Sequence, residues 1–202
     1  MDRLIPMSLN SEIEYFLKEQ NLCLDKILQN TTDITHICNI LLKARDNGNK
    51  IFTIGNGGSG STASHFVSDL LKTALTKNDK RFSAFSLVDN NPVILAWSND
   101  TSYSDIFIEQ LKNHLTKNDI VIGFSGSGNS KNILLALDYT KKNNAICIGF
   151  TGESGGLMKK KCDVCFCVPS KNMLTIESMH VLLCHCITAS IRNLGTPIFK
   201  YE

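Results

Sequence analysis

The chain has 202 residues, 43% hydrophobic and 20% charged, which fits one globular domain or one domain with a helical extension. Its formal net charge of +2, with no basic cluster interleaved with aromatic residues, predicts no nucleic-acid partner. The first stretch, MDRLIPMSLN, has no apolar signal region and no segment reads as long enough to span a bilayer, so we expect a cytoplasmic protein with no membrane partner.

Two amphipathic helices are predicted before the first strand. The first covers residues 11–29, and Ser11 with Glu14 predicts a capping box at its start. The second follows directly and ends at Gly48. Both apolar stripes lie outside the repeating strand and helix pattern, so they must be buried against the core, each other or another subunit. The stripe of the first helix comprises Ile13, Phe16, Leu17, Leu24, Ile27 and Leu28. Residues 1–49 are therefore assigned to an N-terminal helical extension.

Strand-like apolar runs alternate with helical segments over the rest of the chain. The strand-like runs cover residues 51–54, 83–87, 120–124, 145–150 and 164–168. The helical segments cover residues 58–76, 91–98, 104–115, 129–142, 155–160 and 173–192. Strands separated by helices predict an α/β fold, a three-layer αβα sandwich in which helices cover both faces of a parallel sheet. Residues 50–202 are expected to form this domain.

The eight cysteines require an interpretation. Without an export signal, no disulfide framework is expected. Cys162 and Cys165 form a CxxC, a spacing that also occurs in zinc and redox sites. No second CxxC completes a four-sulfur site, and the surrounding DVCFCVP reads as a buried strand in which cysteine is a small hydrophobe. We favour packing, with metal or redox use as the alternative.

Two loops rich in glycine and serine follow predicted strands. They are GNGGSGS at residues 55–61 and SGSGNS at residues 125–130. In an open parallel sheet, ligands bind at the carboxyl ends of the strands, where both loops are expected and where each leads into a helix N-terminus. Backbone N–H groups and serine hydroxyls would suit a phosphate, whereas two ordinary turns are the alternative. The loops match neither the GxxxxGK[ST] nor the GxGxxG pattern with an acidic partner, so no nucleotide cofactor is expected.

Carboxylates and imidazoles lie on two of the predicted helices. His65 and Asp69 are four residues apart and share one helical face. Glu177, His180 and His185 can share a broad face of the last helix. Two carboxylates and two imidazoles meeting over the sheet edge would supply a proton-transfer pair or a four-ligand zinc site. The alternative is that the histidines are hydrogen-bonded residues between helices.

Five motifs together carry a resemblance to a known family: GNGGSGSTASHF, AWSNDTSY, GFSGSGNSKN, TGESGG and IESMHVLLCH. They resemble the sugar isomerase (SIS) family, specifically the phosphoheptose isomerases, which interconvert sedoheptulose 7-phosphate and a heptose 7-phosphate. The resemblance implies a flavodoxin-like, five-stranded parallel sheet in an SIS phosphosugar-binding domain at residues 50–202. It also implies a homotetramer whose interface includes the extension at residues 1–49. The implied reaction is an aldose–ketose isomerisation through an enediol, which supplies nucleotide-heptose synthesis for lipopolysaccharide or capsule.

The resemblance also implies roles for individual residues. For the isomerisation we assign Asp69 as the candidate base and His185 as the candidate acid, with Glu177 as metal ligand or alternate base. The implied ligands of one Zn²⁺ ion per subunit are His65, Asp69, Glu177 and His185. The implied substrate-binding residues are Asn56, Gly57, Gly58, Ser59, Asn99, Asp100, Ser125, Gly126, Ser127, Ser130 and Glu177.

The sequence departs from the family pattern at several of these positions. Asp69 stands where the family usually has glutamate, and Glu177 stands in place of glutamine. The other departures are Gly126 in place of threonine, Ser178 in place of glutamate and Thr73 in place of arginine. Two alternatives therefore remain open: an isomerase of another sugar phosphate, or a non-catalytic SIS protein that binds a phosphosugar or a protein partner.

Overall fold

The computed structural model of the chain describes residues 8–199. Residues 1–7, within the stretch in which no signal region is expected, lie outside the described residues, as do residues 200–202. The first helix, α1, spans Leu9–Leu28, and its N-cap is Ser8, whose side chain accepts a hydrogen bond from the backbone N–H of Ser11. The predicted capping box of Ser11 and Glu14 is therefore wrong, because an earlier serine starts the helix.

The second helix, α2, spans Thr32–Asn47 and ends as predicted at Gly48, which takes the left-handed conformation (φ = +75°) that favours glycine. Its apolar side is buried through Ile37 and Leu41, both 0% exposed. α1 is covered much less completely: Cys23 and Ile27 are its buried residues. The predicted stripe of α1 is thus only partly used within one chain.

Five parallel strands form one sheet in the order β2-β1-β3-β4-β5. The strands are β1 (Lys50–Gly55), β2 (Ser83–Ser86), β3 (Ile120–Phe124), β4 (Ile146–Thr151) and β5 (Val164–Cys167). All five residues of β3, the central strand, are buried. This uninterrupted burial explains why the central runs are apolar at every position rather than at alternate ones.

Helices cover both faces of the sheet, so the predicted three-layer αβα sandwich is confirmed. The remaining helices are α3 (Gly58–Ser68), α4 (Asn91–Asp100), α5 (Ile108–His114), α6 (Lys131–Lys142), α7 (Met158–Lys161) and α8 (Met173–Leu194). One core cluster joins residues of α1, α2, α3 and α8 to one face of the sheet. The other cluster joins residues of α5, α6 and α7 to the opposite face. The predicted helix over 104–115 is instead a short 3₁₀ turn, Tyr103–Asp105, followed by α5.

The first turn of α8 is tied to α1 by a partly buried set of hydrogen bonds. Glu19 accepts hydrogen bonds from Asn172 Nδ2 at 3.0 Å and from Thr175 Oγ1 at 3.1 Å. Ser170 Oγ lies 3.4 Å from the same carboxylate, and Gln20 Nε2 donates to Thr175 Oγ1 at 2.8 Å. A carboxylate beside a helix N-terminus is favourable, because it accepts from groups there and faces the positive end of the helix dipole.

The expectation that no segment is long enough to span a bilayer is wrong on length and composition alone. α8 has 22 residues and an apolar window with a mean hydropathy of 1.4. Half of that window is buried inside the fold, where Leu183 and Ile187 join the core cluster that covers one face of the sheet. Its apolar character is therefore that of a core helix.

Of the CxxC thiols, Cys162 is the C-cap of α7 and Cys165 lies within β5. Hydrogen bonding to Cys162, together with burial, raises the pKa of Cys165 to about 11. Burial likewise raises the pKa of Cys147, on the neighbouring strand, to about 12. Thiols held neutral in this way are poor nucleophiles. These properties favour the packing interpretation.

Candidate active site

The two glycine- and serine-rich loops lie where the strand order of the sheet reverses, between β1 and β3. From β1 the chain crosses to β2 on one side, whereas β3, β4 and β5 follow on the other. In open α/β sheets, ligands bind in the crevice outside the strands at such a switch point. One loop follows β1 and the other follows β3, so both border this crevice.

The first loop packs tightly against α8. Gly57, with φ = +52°, is the N-cap of α3. At Gly58, the Cβ atom of any other residue would lie 2.9 Å from Glu177 Cδ. The Glu177 carboxylate therefore sits at the N-terminal end of α3, where the helix dipole favours a negative charge. A side chain at position 58 would therefore displace the Glu177 carboxylate.

The second loop gathers three hydroxyl groups. Ser125 Oγ lies 3.5 Å from Ser127 Oγ and 3.2 Å from Ser130 Oγ. Ser130 is the N-cap of α6, whose first backbone N–H groups lack partners within the helix. Gly128 takes φ = +65°, a conformation that a side chain would strain. Hydroxyl donors at a helix N-terminus form a setting for a phosphate that needs no lysine. We call residues 125–130 the serine loop.

Gly126, one of the departures from the family pattern, is matched by a residue of α8. A Cβ atom at position 126 would collide with Met173 Sδ and would lie 3.5 Å from Ile176 Cγ2. The thioether of Met173 thus occupies the space that a threonine side chain would need. The position remains part of the loop wall, but it contributes only its backbone.

Three side chains from two helices converge beside the first loop. His65 Nε2 lies 2.7 Å from His185 Nε2. Asp69 Oδ2 lies 3.4 Å from His65 Nε2 and 3.7 Å from His185 Nε2. Their ligand atoms all lie within 4.8 Å of one another, and no other group in residues 8–199 brings three potential metal ligands so close together. The structure therefore brings together three of the four predicted metal ligands.

The Asp69 carboxylate is buried without a hydrogen-bond partner for one of its oxygens. The residue is 6% exposed, and Oδ2 is the unpartnered atom. Asp69 also begins a π-helical turn, Asp69–Thr73, in which its carbonyl accepts from Ala74 N at 2.8 Å. Such turns are frequent at functional sites. An unpartnered carboxylate oxygen that faces two imidazoles is a suitable position for a cation.

The donor set fits zinc. Ligand atoms around a tetrahedral zinc ion with bonds of about 2.1 Å are separated by about 3.4 Å. The two distances from Asp69 Oδ2, 3.4 and 3.7 Å, are close to this value. The 2.7 Å between the imidazoles is shorter and is that of a hydrogen bond between the two rings. Three protein ligands with an open fourth position are typical of catalytic zinc.

Two other residues of α8 are placed differently from this group. Glu177 faces Gly58, and its role as a fourth metal ligand stays a prediction. His180 does not share the site face, because it is 0% exposed and lies against the rings of Phe124 and Phe150. Cys184 lies behind Asp69: burial, reinforced by the Asp69 charge, raises the pKa of its thiol well above the usual range. Cys184 is therefore a neutral neighbour of the site.

A cavity of about 610 Å³ opens beside His65. It is lined by Asn56, Gly57 and Ser61 from the first loop and helix, and by Asp89 and Tyr103 from the opposite wall. The residues lining it do not include Asn99 or Asp100, which lie exposed at the end of α4, where Asn99 Nδ2 donates to Asp100 Oδ1 at 2.8 Å. Their predicted contact with substrate therefore stays a prediction.

The sequence interpretation missed two polar residues of the crevice. Tyr103 Oη donates to Asn56 Oδ1 at 2.8 Å, and Asn132 exchanges hydrogen bonds with the same Asn56 amide. Both residues belong to motifs that carried the resemblance, AWSNDTSY and GFSGSGNSKN. Both residues could therefore be found in the sequence motifs, but their contact with Asn56 appears only in the folded chain.

Comparison with protein families agrees with this geometry. The SIS domain model matches residues 14–152, a range that includes β1 to β4 and both glycine-rich loops. Fold, switch-point loops and family match together define a protein of the SIS domain class.

Individual relatives narrow the assignment. Phosphoheptose isomerase 2 of Campylobacter jejuni is 36% identical over 189 residues, 92% of this chain and 94% of its own length. The phosphoheptose isomerase of Aneurinibacillus thermoaerophilus is 33% identical over 79% of this chain and 80% of its own length. A phosphoheptose isomerase structure from Francisella tularensis superposes with a TM-score of 0.87 at 27% identity, covering 93% of this chain and all of its own. The chain belongs to the phosphoheptose isomerase family.

Proposed function

We propose that this protein is a phosphosugar isomerase that converts sedoheptulose 7-phosphate to a heptose 7-phosphate. One observation carries the proposal: a buried carboxylate, Asp69, faces two imidazoles beside a crevice that also holds the serine loop. A binding protein has no need of this buried group, whereas isomerisation requires a base, an acid and a site for the phosphate. The names of the relatives support the same substrate class.

The reaction moves one proton between neighbouring carbons through an enediol. Asp69 takes a proton from C1 of the ketose while His185 donates a proton to the C2 oxygen. Asp69 then returns its proton to C2, and His185 accepts the proton of the C1 hydroxyl, which leaves the C1 aldehyde. His185 is half-exposed, with 56% of its side chain accessible, so substrate can reach it, whereas Asp69 is buried directly beside it.

The proposal includes a zinc ion held by His65, Asp69 and His185, with Glu177 as a further candidate ligand. When bound, zinc would polarise the carbonyl oxygen and stabilise negative charge on the enediol oxygens. A carboxylate that ligates metal is a weaker base, so the two roles of Asp69 compete. Elemental analysis of the purified protein, before and after dialysis against a chelator, tests the metal: about one zinc per chain is expected, and its absence would remove this part.

The serine loop supplies binding energy remote from the reacting carbons. Ser125, Ser127 and Ser130, with the first N–H groups of α6, hold the phosphate and so position C1 and C2 at the other end of the sugar. Gly57, Gly58 and Ser59 of the first loop, with Asn99 and Asp100, are proposed to complete the substrate contacts.

The test of the reaction is NMR of sedoheptulose 7-phosphate with the protein in D₂O. Conversion, or deuterium incorporation at the transferred position, is expected with the wild-type protein. Asp69→Asn and His185→Ala should each lower the rate about 100-fold to 10,000-fold, the usual contribution of acid–base catalysis. The exposed His36→Ala serves as the matched control and should retain full rate. Full activity of both site variants would refute the assignment.

We also propose that the helical extension at residues 1–49 builds a homotetramer of a cytoplasmic protein. Its support is the apolar outer side of α1, which one chain leaves uncovered. Leu17, Leu22 and Leu28 are 60%, 63% and 64% exposed. Light scattering of the wild-type protein and of a Leu17→Ser, Leu22→Ser double variant tests the assembly, and an unchanged mass for the variant would exclude this face. The heptose phosphate is proposed to supply nucleotide-heptose synthesis for lipopolysaccharide or capsule.

A further inference from the structure

Asn56 of the first loop is fixed by hydrogen bonds from two other segments. Asn56 Nδ2 donates to Asn132 Oδ1 at 3.0 Å, and Asn132 Nδ2 donates back to Asn56 Oδ1 at 2.8 Å. Tyr103 Oη donates to the same Asn56 Oδ1 at 2.8 Å. The three residues come from the end of β1, the start of α6 and the 3₁₀ turn before α5.

A backbone group fixes the orientation of both amides. The Ile133 N–H, in the first turn of α6 and without a partner in the helix, donates to Asn132 Oδ1 at 3.0 Å. The atom that accepts from a backbone N–H must be the oxygen, so the other terminal atom of Asn132 is the nitrogen. That nitrogen donates to Asn56, so the Asn56 atom facing it and Tyr103 is also oxygen. One N–H of Asn56 Nδ2 remains for a ligand.

This remaining donor lies between the two halves of the crevice. Asn56 and Tyr103 line the cavity of about 610 Å³ beside His65. They also line a second cavity of about 390 Å³, whose other walls include Ser130 of the serine loop. Tyr103 is 53% exposed and, like Asn56, borders both cavities.

We propose that Asn132 and Tyr103 are positioning residues that make Asn56 a hydrogen-bond donor to an oxygen of the sugar chain, between the phosphate and the reacting carbons. The inference rests on the proposed function and deepens it, since it assigns the recognition of the middle of the substrate. Asn132, 2% exposed, sets the amide orientation from inside the fold, and Tyr103 holds it from the crevice side.

The test is a double-mutant cycle. Tyr103→Phe removes one hydrogen bond to Asn56, and we expect a rise in KM of about threefold to tenfold with kcat within twofold. In an Asn56→Ala background the same Tyr103→Phe change should alter KM by less than twofold, because the residue through which it acts is gone. Tyr139→Phe, on the far part of α6, is the matched control and should leave both parameters unchanged.

Two further measurements separate positioning from other roles. Inhibition by inorganic phosphate should be unchanged in Tyr103→Phe, since the serine loop is intact. Asn132→Asp, which replaces the donor to Asn56 by an acceptor, should raise KM more than Tyr103→Phe does, provided that circular dichroism shows a folded protein. An equal effect of Tyr103→Phe with and without Asn56, or a loss of phosphate affinity equal to that of the sugar phosphate, would overturn the inference.

Calorimetric binding of sedoheptulose 7-phosphate keeps this result separate from the isomerase proposal. If the wild-type protein binds the sugar phosphate without converting it, the isomerase proposal fails, whereas the same cycle in dissociation constants still decides the positioning role. If the wild-type protein does not bind the sugar phosphate, both are overturned. If the wild-type protein converts the substrate and Tyr103→Phe leaves both KM and the dissociation constant unchanged, the positioning role alone is overturned.

Discussion

His180 is a buried histidine whose titration should limit the acid stability of the protein. It is 0% exposed and lies with its ring centroid 5.9 Å from that of Phe124 and 6.0 Å from that of Phe150. Its Nε2 lies 3.3 Å from the Thr151 carbonyl oxygen, and its Nδ1 has no hydrogen-bond partner among residues 8–199. Burial lowers the pKa of His180 to about 4, against about 6.5 for a histidine in water.

The sign and size of the effect follow from proton linkage. Between pH 6.5 and pH 4 the unfolded chain binds a proton at this histidine and the folded chain does not. The free energy of unfolding therefore falls as the pH is lowered through this window. With the pKa of His180 at about 4, the loss from pH 7 to pH 5 is about 2 kcal/mol and reaches about 3 kcal/mol at pH 4.

The assay is urea unfolding at pH 7 and pH 5, at one protein concentration, of the wild-type protein and of His180→Gln. Glutamine retains a donor for the Thr151 carbonyl but does not titrate, and all other groups are common to both proteins. The wild-type protein should lose about 2 kcal/mol more than the variant between the two pH values. The exposed His36→Gln should behave as wild type. Equal losses in wild type and His180→Gln would refute the reasoning.

Three further predictions concern the loops and α8. Ser127→Ala should raise KM about fivefold through one lost hydrogen bond to phosphate while kcat stays unchanged, and an unaltered KM in steady-state assays would contradict its role. Gly58→Ala should lower kcat/KM about tenfold, because its Cβ displaces the Glu177 carboxylate; wild-type kinetics would show that this carboxylate need not stay in place. Glu19→Ala should reduce the unfolding free energy by about 1–3 kcal/mol in urea titrations, and Glu19→Gln should restore part of it; a neutral Glu19→Ala would show that the contact with Asn172 and Thr175 contributes nothing.

Most of the fold was accessible from local patterns. The run at 120–124 coincides with β3, because a fully buried central strand is apolar at every position. The start of α1 was predicted wrongly because Ser11 and Glu14 have the spacing of a capping box, whereas the actual N-cap, Ser8, has Ser11 three residues later and lacks that pattern. The break between Tyr103–Asp105 and α5 was missed because helical periodicity continues across it.

The candidate site was predictable where it depends on one helix and less so elsewhere. His65 and Asp69 share a face by their spacing alone. His185 meets His65 across 120 residues of sequence, a meeting that spacing alone left open and that the resemblance implied. The contact of Tyr103 with Asn56 spans 47 residues and has no local signature, so no pattern in the sequence indicates it. The position of Glu177 against Gly58 depends in the same way on how α8 sits over α3.

α8 carries both the first turn that is anchored to α1 and the site residue His185. Its first turn is held by Glu19 of the N-terminal helix, and His185 follows twelve residues after Met173. That separation is about 18 Å, so a tilt of about 5° at the anchored end would swing His185 by roughly 1.5 Å. A shift of that size is enough to misalign a proton transfer. Loosening of α1 at Glu19 would thus move His185, so a substitution in the outer helix can disturb the site without contacting it.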